Sequence, residues 1–324
     1  MNLNIQTWIE QLRSGDARAL ARAISTVENR SAGWSELLKA LFPHTGKARI
    51  LGLTGAPGAG KSTLVDQLAK HYRKEKHTVG IIAVDPTSPY TGGAILGDRI
   101  RMQDLHADPG IYIRSMATRG SLGGLARTTA DVATVLDASG RDCVLIETVG
   151  VGQDEVEIVR LADVTVVILV PGMGDDVQTI KAGIMEIADI FVINKSDREG
   201  AERVESEIRA MQSLASRDDG WTPPIVKTVA TEGIGTQGLA AAIADYEAYL
   251  KKENLAFRKN VENWQERLVE MLRDSMLEKA RAQMDGGSLE RYAAEIAEHK
   301  RDPYSLVEEI IAAVSHQPSA ISKT

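Results

Sequence analysis

Leu51-Gly52-Leu53-Thr54-Gly55-Ala56-Pro57-Gly58-Ala59-Gly60-Lys61-Ser62-Thr63 is the stretch that decides the fold. Residues 55–62 satisfy G-x-x-x-x-G-K-[ST] at every fixed position, and the flanks supply the context that pattern needs. Ile50 to Thr54 reads as a short buried strand. Thr63 to Tyr72 carries Leu64, Val65, Leu68 and Ala69 at helical spacing. A loop wraps a run of phosphates only if its amides turn inward, which needs backbone geometry that glycine tolerates and side chains too small to obstruct. The helix start adds unpaired N–H groups and partial positive charge. Gly55, Ala56, Pro57, Gly58, Ala59, Gly60, Lys61, Ser62 and Thr63 are therefore the expected nucleotide contacts. Lys61 would neutralise the β- and γ-phosphates, and the Ser62 hydroxyl would hold Mg²⁺.

Outward from this loop, several apolar runs end in polar residues. Thr78 to Asp85 is an expected strand closing on a carboxylate, followed by a Pro- and Gly-rich loop from Pro86 to Arg99. A loop leaving the carboxyl end of a parallel strand lies where open α/β sheets bind ligands, so Asp85 and Asp98 are candidate metal contacts. Gly110 to Ile113 is strand-like and precedes a glycine-bearing segment, Met116 to Gly124, that includes Arg119. Arg127 to Leu136 reads as helix. Cys143 to Glu147 is the next strand and continues Thr148-Val149-Gly150-Val151-Gly152-Gln153. A strand-end acid with a glycine three residues on suits sensing of a terminal phosphate, which makes Glu147 a candidate catalytic and metal-contacting group. Gln153 does not directly follow Gly150, so no water-positioning glutamine stands there, and slow hydrolysis alone is expected.

Asp163 to Val170 and Ile190 to Ile193 are further expected strands, with a helix from Val177 to Ile187 between them. The second strand delivers Asn194-Lys195-Ser196-Asp197, about 130 residues beyond the phosphate loop. An aspartate accepts two hydrogen bonds, and guanine offers two adjacent donors where adenine offers none. Asp197 is the expected base reader, Asn194 a bridge to other loops, and the Lys195 stem a cover for the purine face. The strand Ile225 to Val229 leads into Ala230-Thr231-Glu232-Gly233, whose amides are expected to support the base carbonyl, with Val229 where a serine is usual. Five or six such strands, each followed by a helical segment, predict an α/β fold: a mostly parallel sheet flanked by helices.

The 324 residues carry a net charge of −7 and are 43% hydrophobic, which suffices for a full-sized α/β domain and gives no polyanion-binding signature, so no nucleic-acid partner is expected. The longest apolar run, Val164 to Val170, is too short to span a bilayer, and the N-terminus has no charged-then-apolar signal pattern. A cytoplasmic protein without a membrane partner is expected. The single cysteine, Cys143, lies in an apolar run and reads as core. Residues 1–46 form an expected helical extension with Asp16 as a helix cap, ahead of a nucleotide domain over 47–250. Residues 251–324 change character. Leu255, Val261, Trp264, Leu268, Met271, Leu272 and Met276 trace a stripe on a long charged helix, and Asp302-Pro303 starts another. Such a stripe is expected to bury itself against either its own domain or a second copy, with a homodimer arm favoured over intramolecular packing.

With these landmarks placed, the chain resembles the bacterial MeaB/ArgK group of P-loop GTPases, relatives of the human methylmalonic aciduria type A protein. The resemblance rests on Gly15 to Ile24, the phosphate loop, Val84-Asp85-Pro86-Thr87-Ser88 and Leu96 to Met102. It extends through Ser115 to Gly120, Glu147 to Gln153, Asn194 to Asp197 and Asp302-Pro303-Tyr304. It implies a GTPase that binds GTP or GDP with Mg²⁺ and chaperones an adenosylcobalamin-dependent acyl-CoA mutase, gating cofactor delivery and protecting the enzyme. It also implies dimerisation through C-terminal helices. By position, Asp85 to Met102 resembles a first switch, Glu147 to Gln153 a second, and Val170 to Lys181 a third, with Lys181 implicated in stimulated hydrolysis. A competing expectation, from older naming of the ArgK branch, is an ATPase or kinase serving lysine, arginine and ornithine transport. The guanine-selecting tetrapeptide argues against it.

Overall fold

β1 (Arg49–Gly55) is the middle strand of the sheet, and Leu51 and Leu53 within it are fully buried. The other strands are β2 (Val79–Asp85), β3 (Ile111–Ala117), β4 (Cys143–Glu147), β5 (Val164–Leu169), β6 (Ile190–Asn194) and β7 (Ile225–Thr228). Their spatial order is β3-β2-β4-β1-β5-β6-β7, with every pair parallel. The computed structural model of the protein describes residues 5–85, 103–117, 124–148, 161–172, 187–214, 217, 219–284 and 288–315. Asp98, Arg119, Gly150, Gln153, Lys181 and most of the helix expected over 177–187 lie outside the described residues.

Cys143–Glu147, Val164–Leu169 and Ile190–Asn194 are buried at every position, as strands covered on both faces must be. One face is covered by α4 (Lys61–Lys74) and α7 (Thr236–Lys252), whose Leu64, Leu68, Leu239 and Ile243 pack on Leu53, Val166 and Val192. The opposite face is shared. α6 (Ala201–Leu214) places Val204 and Ile208 on Val167 and Phe191. α5 (Gly124–Ala138) covers β2 and β4 and is itself overlaid by α1 (Ile5–Arg13), α2 (Ala17–Glu28) and α3 (Trp34–Leu41). The N-terminal extension thus packs across the nucleotide fold through Ile24, Leu37 and Leu41. Asp16 caps α2 as expected: its Oδ1 accepts from Ala19 N (3.0 Å) and Arg18 N (2.8 Å), and these bonds hold its carboxyl below the usual carboxylate range. Cys143 is buried in the core, and burial pushes its thiol up.

The link from extension to sheet is fixed by one carboxylate. Asp137 near the end of α5 accepts from Gly46 N (2.5 Å), Lys47 N (3.1 Å) and Ala48 N (2.8 Å) while itself 6% exposed. Asp137→Ala would strand three amides, so it should lower stability by about 2 kcal/mol, read as a drop in urea midpoint at unchanged slope.

A second ionic knot lies at the amino ends of β5 and β6. Asp189, 2% exposed, accepts from Arg217 Nη2 (3.1 Å) and from Lys259 Nζ (2.8 Å). Lys259 also donates to Asp163 O (2.8 Å) and sits over the Tyr246 ring, tying the first turn of α8 (Leu255–Gln283) to the sheet.

The chain divides into two compact units, Met1–Asn260 and Val261–Thr324. The second holds the rest of α8, α9 (Ser288–Ala297) and α10 (Pro303–Ser315). Asp302 caps α10 by accepting from Ser305 N at 2.8 Å, as the Asp-Pro pair predicts. Leu268, Val269, Leu272 and Leu277 on α8 and Val307 and Ile311 on α10 are exposed apolar side chains. Among the described residues no helix is long and apolar enough to cross a membrane.

Candidate nucleotide-binding site

Strand order creates the crevice. The chain leaves β1 toward β2, returns through β4 on one side of β1, and crosses to β5 on the other, so the carboxyl ends of β4, β1 and β5 surround the loop after β1. Register aligns the functional ends: Leu53 pairs with Glu147, Gly55 with Ile168, and Asn194 with Thr228.

The loop's glycines are required by close approach. Gly55 has φ +144°, and a Cβ there would run into the Ile168 carbonyl oxygen. Gly60 has φ +89°, and a Cβ there would strike Asn194 Nδ2. Lys61, the first residue of α4 and 6% exposed, folds back so that its Nζ donates to Gly55 O (2.6 Å) and Ala56 O (3.0 Å). Its charge is thereby held against the loop. Ser62 Oγ donates to Glu147 Oε1 at 2.6 Å across to β4, with Glu147 5% exposed. Ala59 is buried, and Thr63 is half-buried on the following turn.

Asn194 ends β6 at 2% exposure and grips two loops at once. Its Nδ2 donates to Ala59 O (2.8 Å), while its Oδ1 accepts from Thr228 Oγ1 (3.1 Å) and Ala230 N (3.1 Å). Lys195, at φ +55°, reaches across so that its Nζ donates to Gly58 O (2.7 Å), and its stem spans the gap between the two loops. Asp197 is exposed beyond it. Phosphate loop and base loop are thus cross-braced by adjacent side chains.

The model of the family described as methylmalonyl Co-A mutase-associated GTPase MeaB matches residues 20–285. The chain belongs to the MeaB family of GTPases. A Pyrococcus abyssi chain named as a GTPase is 49% identical over 310 residues, covering 95% of this chain and 96% of that one. The mouse mitochondrial methylmalonic aciduria type A homolog is 38% identical over 242 residues, covering 69% of this chain and 58% of that one. A crystal structure of an LAO/AO transport system kinase superposes with TM-score 0.72 at 27% identity, covering 97% of this chain and 100% of that chain.

Within this MeaB-family chain, the base loop departs from expectation in detail. The Val229 amide donates to Ile234 O (3.1 Å), that of Ala230 to Asn194, that of Glu232 to Val229 O (3.0 Å) and that of Gly233 to Ala230 O (3.2 Å). Three of those donors are taken by the loop itself and the fourth by Asn194, which leaves the amide of exposed Thr231 for a base carbonyl. Asp85 ends β2 opposite Ala117, with its backbone alone described. Sequence reasoning missed Thr228, whose hydroxyl orients Asn194; its place just before the base loop was the available signal.

Ser62 and Glu147 together fit a magnesium ion. Both offer hard oxygen donors, they lie a hydrogen bond apart, and Mg²⁺ takes few protein ligands beside phosphate and water.

Proposed function

We propose that this chain is a GTP-dependent timer for an adenosylcobalamin-dependent acyl-CoA mutase, methylmalonyl-CoA mutase or a close relative. It acts in the cytoplasm as a homodimer charged with Mg²⁺ and GTP. The observation that supports it best is Glu147: one hydrogen bond from Ser62 at one end, it opens the stretch through Gln153 that the family resemblance assigns to switching. The family description names the mutase association, and the exposed apolar stripes of α8 and α10 suit a second copy.

In hydrolysis, Lys61 and the loop amides stabilise the charge that develops on the transferring phosphoryl group. Ser62 and Glu147 would hold Mg²⁺, which on binding neutralises charge on the phosphate oxygens. Asp98 and Lys181 are proposed to complete the site, Asp98 near the metal and Lys181 when the partner docks. Asp197 reads the two donors of guanine, with Asn194 fixing its loop to the phosphate site.

Adding a purified adenosylcobalamin-dependent mutase should raise GTP turnover by about ten-fold or more, as expected where a partner completes a phosphoryl-transfer site. Equal turnover with and without every such mutase would overturn the timer. The rival reading, an ATP-using transport accessory, is favoured by the name of the solved structural relative. It requires ATP to compete with GTP in calorimetry, and tight GTP binding with no heat from ATP rejects it.

A further inference from the structure

β4 ends at Glu147, yet the chain stays fastened to β1 for one residue more. Thr148 N donates to Leu53 O (3.1 Å), and the Thr148 hydroxyl donates to Thr54 Oγ1 (3.1 Å), lying 3.5 Å from Leu53 O. Both threonines are 1% exposed. Leu145 belongs to the core beneath α4, and Val144 and Ile146 to the opposite core. Alternation along the strand puts Glu147 on the α4 face, where it meets Ser62, and turns Thr148 to the other side. Consecutive residues therefore hold the phosphate-loop strand and its helix from opposite faces. Two valines would fill the same space with no hydroxyl to desolvate. A buried hydroxyl pair adds direction, because it is satisfied at one register and orphaned at any other.

We propose that Thr148 and Thr54 form a positioning pair for GTP hydrolysis: their hydrogen bond sets the twist of the β4 terminus and so keeps the Glu147 carboxylate on Ser62. Neither hydroxyl need touch the nucleotide. The pair acts through Glu147, and the proposal rests on the reading of Glu147 as a hydrolytic group.

Single-turnover hydrolysis and GTP affinity of the full chain test it. Thr148→Val should slow hydrolysis by about ten-fold, the scale of a small misplacement of a catalytic group, with GTP affinity changed by less than about two-fold. Thr148→Ser, which keeps the hydroxyl, should restore the rate. Thr54→Val removes the same bond from the other strand, so a poorly folding Thr148→Val does not shelter the proposal. It should match Thr148→Val, and the double variant should be no slower than either single one. Wild-type rate in either valine variant, failed rescue by serine, or additive losses would overturn the pair. Glu147→Gln in the same assay separates the two readings. If it runs at the wild-type rate, the role of Glu147 falls and this proposal with it. If it is slow while Thr148→Val is normal, the positioning pair alone falls.

Discussion

Gly60→Ala is expected to weaken GTP binding by about a thousand-fold, because the loop leaves the geometry that receives phosphate, and to lower stability while the chain still folds. Two distortions combine. Alanine at φ +89° is strained by about 1–2 kcal/mol, and its Cβ displaces Asn194 Nδ2. Once pushed, Asn194 forfeits its bond to Ala59 O and tilts away from Thr228 Oγ1 and Ala230 N, leaving buried polar groups at about 1–3 kcal/mol each. The collision lies at the carboxyl end of β6, past the packed middle of the sheet, so the circular dichroism spectrum should match the wild type. Asn194→Ala, which makes room but breaks the same braces, should lose about a hundred-fold in affinity by calorimetry. Wild-type affinity in both variants would mean that the braced loops contribute nothing to holding nucleotide.

Glu147→Gln is expected to slow hydrolysis by about a hundred-fold at nearly unchanged GTP affinity, the size found when one preorganised electrostatic group is removed. Glutamine keeps the shape, and its carbonyl oxygen can still accept from Ser62 Oγ, so the 2.6 Å link survives and only the charge is lost. A rate loss without an affinity loss marks an interaction made in the transition state, and a joint loss would mark a binding role. Single-turnover hydrolysis with saturating Mg²⁺ separates the two.

The parts of this molecule legible in its sequence are those where backbone geometry and residue type coincide. The glycines of residues 55–60 and the strand and helix around them were readable because few other residues tolerate such φ values and contacts. Asn194 was readable because it closes a buried strand. Strand order was not, since which parallel strands pair is decided by crossovers that leave no local trace. Each of the seven strands answers to a run read in the sequence, the four-residue edge strand β7 included, so the expected total of five or six was short although no single strand was missed. α9 escaped notice although Leu289, Tyr292 and Ile296 stand at helical spacing, because the run is only ten residues long and three of its apolar positions are alanine. The hydroxyl pair of Thr54 and Thr148 is invisible for a plainer reason: threonine is ordinary in strands, and only a parallel neighbour makes two of them meet.

The knot around Asp189 dictates where this protein can be cut. A fragment ending at Lys259 or later retains both cations that neutralise that carboxylate, whereas one trimmed to the end of α7 would leave Arg217 to balance it alone, beside a Tyr246 robbed of its ammonium lid. The catalytic half, if it is ever excised for crystallisation or fusion, must carry the opening turn of the long helix with it.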